Sequence, residues 1–347
     1  MSVWTTLNLV TFGVGAAVGA GATAAITLSQ RKPDSLAAPV AAPIVDIERK
    51  NRPQIVSNLE VLQHSSAVLK YGHPGPVLDM LIRKAYTASY DRRLRHPSWT
   101  AEHLTLASLG KSRVVETIPD EGKGKGDRSR SNFSEDESIP VPFRARLADY
   151  FRSGYDRGHM VPAADCKSSQ EAMDETFLLS NIAPQVGDGF NRHYWAYLED
   201  WCRRQTSTFA DVYVFTVPLY LPKQEADGKW RVTHEVIGSP VPNIAVPTHF
   251  AKVVFGARPS SPNTPTIQEL SLGAFVLPNA PIADETPLTS FAVPVEAVER
   301  AAGLTLFSDA VKKSSKQICQ TSKCELIIRR FDDVQRQGQK SIAAPKR

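Results

Sequence analysis

The sequence predicts a mixed α+β fold built around one main domain of roughly 250 residues, a size that single domains reach. Two observations carry this reading. Val212-Tyr-Val-Phe-Thr-Val217 is β-branched and aromatic almost throughout, the composition of a buried strand. Asn191 to Arg204 instead sets Trp195, Leu198 and Cys202 at helical spacing. No internal repeat is present. With 347 residues, 42% hydrophobic and 22% charged, the chain has the composition of an ordinary globular protein.

The elements follow in order. Residues 1–32 read as a targeting or membrane-anchor segment. The first 33 residues contain no Asp or Glu, and Leu7 to Leu28 is apolar and closed by Arg31 and Lys32. Such a stretch can span a bilayer at ~1.5 Å rise per residue. Gly15-Ala-Ala-Val-Gly19 is a spacing that packs helices in lipid. A retained anchor and a cleaved targeting peptide both fit. Basic residues that follow the apolar run suit mitochondrial import better than a secretory signal. Residues 33–65 form a linker, extended by Pro33, Pro39, Pro43 and Pro53.

The domain is expected over 66–310. Tyr71 to Gly75 reads as a turn, and Ala85 to Tyr90 as a strand. Trp99 to Ser108 continues the β-rich region. Gly122 to Gly126 and Asp127 to Arg130 read as a flexible basic loop, either solvated or in contact with phosphate. The Gly-Lys repeat lacks the ending of a P-loop. Pro247 to Gly256 and Leu272 to Val276 are further strands, and Phe291 to Ala302 is a helix stopped by Gly303. Residues 311–347 form a basic extension in which Cys324 to Phe331 reads as an added edge strand.

The formal charge is +5 and the pI about 8.9, compatible with an anionic partner. Cys166, Cys202, Cys319 and Cys324 are too few for a disulfide scaffold, and no Cys-x-x-Cys pair suggests structural zinc. Cys319 and Cys324 are close enough to pair in an oxidising compartment.

The chemistry gathers in one stretch. Asp156-Arg157-Gly158-His159 is followed by Asn191 and then Glu199. Cleaving a phosphodiester needs an activated water, charge neutralisation and help for the leaving oxygen. A histidine serves as base. A hard cation such as Mg²⁺ keeps most of its waters and needs few protein ligands, so one amide oxygen suffices. On a regular helix, Asn191 and Glu199 point about 80° apart and face one cleft. Arg157 is a candidate phosphate clamp, and Gly158 permits close backbone approach. His193 points away from Asn191. Asn181 suits a structural, hydrogen-bonding role, and Trp195 and Trp201 suit the helix core rather than base stacking.

Longer motifs surround these residues. Tyr155 to Asp165, Leu178-Leu-Ser-Asn-Ile-Ala-Pro-Gln185 and Phe190 to Glu199 resemble the non-specific DNA/RNA endonucleases, most of all the mitochondrial endonuclease G branch in its fungal form. Ser89 to Arg93, Pro97 to Leu104, Val246 to Phe250 and Val276 to Ala280 extend the resemblance. It implies a ββα-metal core with an antiparallel sheet flanked by helices. It further implies His159 as general base, Asn191 as direct Mg²⁺ ligand (Mn²⁺ substituting) and Glu199 as holder of a water on the metal. Arg157 would contact phosphate. An upstream arginine near the transition state falls on Arg128, or on Arg130 after a one-residue slip. The resemblance also implies DNA and RNA as substrates, 5′-phosphate products and a homodimer. It points to the mitochondrial inner membrane or intermembrane space, with the membrane met through residues 7–28 if these are retained, and to nuclear release in cell death. One departure is local: the family's Thr-Gly-Pro-Leu reads Thr216-Val-Pro-Leu219 here, and valine does not take glycine's positive φ. A fold kept for binding without catalysis, and a membrane scaffold, are the competing readings. Both catalytic candidates, His159 and Asn191, are present against the first.

Overall fold

The computed structural model describes residues 76–111 and 126–328. The apolar segment 7–28, the linker, the Tyr71–Gly75 turn, most of the Gly-Lys loop and the last residues of the tail lie outside them. Among the described residues no helix is long and apolar enough to cross a membrane.

The main sheet takes strands β1 (Leu78–Ile82), β2 (Tyr86–Asp91) and β3 (His96–Leu104) from the first third of the chain. A separate antiparallel ribbon follows, β4 (Asp156–His159) with β5 (Ile182–Gln185). Next come β6 (Asp211–Leu219) and two short ribbons, β7 (Lys223–Gln224) with β8 (Trp230–Arg231) and β9 (Val236–Ile237) with β10 (Ile244–Ala245). β11 (His249–Pro259), β12 (Gln268–Pro278), β13 (Ala292–Val293) and β14 (Lys316–Gln317) complete the strands. The main sheet runs β1-β2-β3-β6-β11-β12-β13, antiparallel throughout, and β14 adds to β12 in parallel. The helices are α1 (Leu147–Tyr150), α2 (Gln170–Glu175), α3 (Trp195–Arg204), α4 (Val295–Ala302), α5 (Asp309–Ser314) and α6 (Ile318–Thr321).

The sheet is covered on both faces, so its central strands read as continuous apolar runs. β11 pairs with both β6 and β12, and Phe250, Ala251, Val253 and Val254 are all buried. On one face α3 packs Trp195, Leu198, Trp201 and Cys202 against Phe250, Val254 and Phe275. On the other, α4 seats Val295 and Val298 on Val217, Ala251 and Ala274. The two tryptophans are thus core residues, 1% and 0% exposed.

Four expectations change. The helix expected from Phe291 begins at Val295. Proline disfavours helical geometry in the residue before it, so Pro294 caps the helix and Ala292–Val293 pairs with β12 instead. Gly303 ends it at φ 68°, as the sequence suggests. Cys324 to Ile328 forms no strand; Lys316–Gln317 is the added edge. A Cys319–Cys324 disulfide closes the intervening chain, and Trp201 Nε1 donates to the Lys323 carbonyl at 2.8 Å, so the segment is looped onto the core. Arg128–Arg130 is a 3₁₀ turn rather than a loose loop, because Asp127 accepts from the Ser129 amide at 2.9 Å. Val217 lies in regular pairing opposite Ala251, and the positive-φ residues do not include it. Valine therefore replaces glycine there without local strain.

Candidate active site

The β4–β5 ribbon and α3 form a ββα unit. His159 ends β4 opposite Ile182, and Gly158 pairs with Ala183. Gly158 has a packing reason: a Cβ there would lie 2.2 Å from the buried Gln185 side chain. Asn181 sets the ribbon's other edge. Its Oδ1 accepts from the Val161 amide at 3.1 Å, and its Nδ2 donates to the carbonyls of Val161 and Thr176 at 3.0 and 2.9 Å. That is the structural role the sequence suggests. Asn279 ties the exit of β5 to the main sheet, accepting from Val186 N and donating to the Pro184 and Pro247 carbonyls.

The helix expected from Asn191 starts later. Regular α-helix begins at Trp195, and Gly187–Tyr194 runs in wider turns. The Asn191 amide reaches back to the Val186 carbonyl at 2.9 Å. Gly189, at φ 73°, makes the bend where a Cβ would lie 2.7 Å from Pro281. Arg128, Asp156, Arg157, His159, Asn191, Glu199 and Arg203 all line one cleft of 640 Å³. Every site residue inferred from the sequence therefore meets in one place, and of the two upstream arginines it is Arg128, not Arg130, that lines it. His193 does not line it; its Nδ1 accepts from Gly189 N at 3.0 Å.

The electrostatics are specific. His159 is wedged between Phe133 and Phe177, with ring centroids at 5.3 and 4.8 Å. Burial, and then the Arg128 charge, push its pKa down to about 3, so the imidazole is neutral at physiological pH. Its Nε2 is buried without a partner, which leaves Nδ1 as the nitrogen open to the cleft. Glu199 is pushed up to about 7, by burial first, with Lys252 and Arg203 opposing. Asp156 accepts from Asn191 Nδ2 at 2.9 Å and from Arg192 Nε at 2.8 Å. Burial opposes its ionisation, but these donors outweigh burial and hold its carboxyl below the ordinary range. With the amide nitrogen so engaged, Asn191 has its oxygen free for a ligand. That hard oxygen donor fits a cation that keeps most of its waters.

Sequence reasoning missed the supports behind the cleft. Arg203 Nη1 donates to the buried Asp165 at 2.7 Å. Lys252, 1% exposed on β11, donates to Thr216 Oγ1 at 2.7 Å and lies 5.0 Å from the Trp195 ring. A lysine inside the apolar run Phe250-Ala-Lys-Val-Val254 was the available signal.

Residues 64–313 match the DNA/RNA non-specific endonuclease family. The chain belongs to that family. Within the DNA/RNA non-specific endonucleases it falls in the mitochondrial endonuclease G group, on the fungal branch. It is 50% identical over 278 residues to Nuclease 1, mitochondrial, of Schizosaccharomyces pombe, covering 80% of this chain and 81% of that one. It is 42% identical over 315 residues to the mitochondrial nuclease of Saccharomyces cerevisiae, covering 88% and 91%. The crystal structure of an EndoG/EndoGI complex, titled as the mechanism of EndoG inhibition, matches with a TM-score of 0.61 and 45% identity. That match covers 73% of this chain and 95% of the other. As expected for an endonuclease of this family, its fold is a ββα unit set on an antiparallel sheet.

Proposed function

We propose that the chain is a Mg²⁺-dependent endonuclease that hydrolyses DNA and RNA without regard to the sugar, leaving 5′-phosphate ends. The observation that carries this reading is the meeting of neutral His159, the free Asn191 oxygen, Glu199, Arg128 and Arg157 in one open cleft. His159 Nδ1 takes the proton of the attacking water. An anionic phosphate entering the cleft offsets the Arg128 charge and so raises the basicity of the imidazole. Arg157 and Arg128 neutralise phosphate oxygens, and the Glu199 carboxylate, once ionised, accepts a hydrogen bond from water in the cleft. Mg²⁺, or Mn²⁺ in its place, would be held by Asn191 Oδ1 and would supply positive charge to the transition state and leaving oxygen. All these groups address the backbone, so affinity carries little base preference and falls as salt rises.

The names of the fungal relatives support a mitochondrial location, with residues 1–32 as the address or inner-membrane anchor. A homodimer is the proposed assembly. Cell fractionation of the full chain against a variant lacking residues 1–32 tests the first, and sedimentation velocity the second.

The decisive experiment is cleavage of plasmid and of RNA by the full-length protein, with Mg²⁺ or EDTA, beside His159→Ala. Metal-dependent cutting of both substrates, lost in the variant, supports the proposal. Unchanged cutting by the variant overturns the base assignment. Binding without cutting by folded wild type overturns the enzymatic reading.

A further inference from the structure

A second cleft of 270 Å³ abuts the first, and Asp156 and Arg157 line both. Its other walls come from α1 and the turn after it, including Leu147, Phe151, Arg152 and Tyr155. Phe151 is 71% exposed and presents its ring beside this polar cleft. The Arg152 guanidinium lies 5.0 Å from the centre of that ring. Arg152 has φ 56°, a backbone conformation that residues with a side chain adopt at a cost. The turn therefore holds an exposed ring and a cation in one stacked pair. On the shared wall Arg157 sits 4.5 Å from the Phe133 ring, facing both clefts. The acid on that wall, Asp156, is already paired with Arg192. The side cleft thus offers a flat apolar surface, two cations and no unpaired acid of its own.

We propose that this side cleft is a subsite for a nucleotide flanking the scissile phosphate. Its base stacks on the Phe151–Arg152 pair, and the phosphate leading toward His159 meets Arg157. Any base presents a flat face to such a platform, so the subsite lengthens the footprint without adding sequence preference. The proposal deepens the nuclease reading above and rests on it.

The test is binding and cleavage of single-stranded oligonucleotides by full-length protein, wild type beside Phe151→Ala and Arg152→Ala. Trp230→Ala, an exposed aromatic that lines neither cleft, is the control. Binding is followed in EDTA through the fluorescence of 2-aminopurine moved stepwise along a decamer. Wild type should quench the probe, and Phe151→Ala should abolish that quenching while Trp230→Ala retains it. Decamer affinity should fall about 5- to 140-fold in Phe151→Ala, the range of one stacked base. The loss should appear in KM. Equal binding and cutting by both variants overturns the subsite while the nuclease reading stands. A drop to monomer in Phe151→Ala, with quenching intact, overturns it in favour of an interface between copies. Quenching by a wild type that never cuts with Mg²⁺, lost in Phe151→Ala, keeps the base platform but overturns the nuclease reading and with it the scissile phosphate beside that platform.

Discussion

The Nδ2 of Asn191 donates to Asp156 Oδ2 across 2.9 Å, so the first residue of the Asp-Arg-Gly-His motif orients the amide of the residue proposed to hold the metal. An amide has one donor end and one acceptor end. Engaging the donor end fixes which end the cleft receives. Asp156→Ala should leave Asn191 free to turn, and should release Arg192 as well. The expected result is a half-saturating Mg²⁺ concentration about 10- to 100-fold higher, the usual effect of losing a ligand's supporting partner. Cleavage rate against Mg²⁺ at fixed substrate measures it. An unchanged metal dependence would show that the amide is held by other means.

Gly158→Ala tests the packing of the catalytic ribbon. The added methyl would meet the Gln185 side chain at 2.2 Å, and Gln185 is 0% exposed, so it has little room to retreat. Overpacking of this kind costs about 1–3 kcal/mol. The glycine lies next to His159 on β4, so misplacement should also reach the proposed base. A lowered melting temperature together with reduced cleavage is expected. A fully stable, fully active variant would contradict the fit described here.

Much of this architecture was legible in the chain, for reasons that differ by element. Val212–Val217 announced its strand through β-branched and aromatic content: Val212, Val214 and Thr216 are buried on one face, while Tyr213 on the other stays exposed. The site residues stood out because they fall in long ordered motifs whose members converge on one cleft. The start of α3 was not legible, since wide turns set by Gly189 give the same apolar spacing as a regular helix. Nor were the roles of Asp156, Arg203 and Lys252, because a charge that partners another across the fold carries no local pattern. The displaced start of α4 is different: Pro294 is visible in the sequence, and the proline itself disfavours helix at Val293.

The Cys319–Cys324 bridge closes a short loop on the back of α3. Lys323, inside that loop, accepts from Trp201, and the neighbouring Glu325 carbonyl accepts from Arg204 at 3.1 Å. Replacing both cysteines by serine should destabilise the protein by about 2 kcal/mol, the chain-entropy figure for so short a loop. Thermal unfolding in the absence of reductant measures it. A double variant as stable as wild type would mean that packing alone holds the segment.

Glu199 should weaken the fold at the pH where its proposed role requires it ionised. Its folded-state pKa of about 7 lies above the ordinary 4.5. Between those values the folded protein keeps a proton that the unfolded chain has released, so stability falls as pH rises through the window, and the full penalty persists above pH 7. Glu199→Gln mimics the protonated form at every pH. It should match wild type at pH 4 and exceed it at pH 8 by about 1–2 kcal/mol, after discounting for the side chain's partial exposure. Melting temperatures at the two pH values, in EDTA, give the comparison. The same substitution should cut the cleavage rate, because an amide accepts from water more weakly than a carboxylate. Equal stability at both pH values would mean that Lys252 and Arg203 fully offset the burial of the carboxylate.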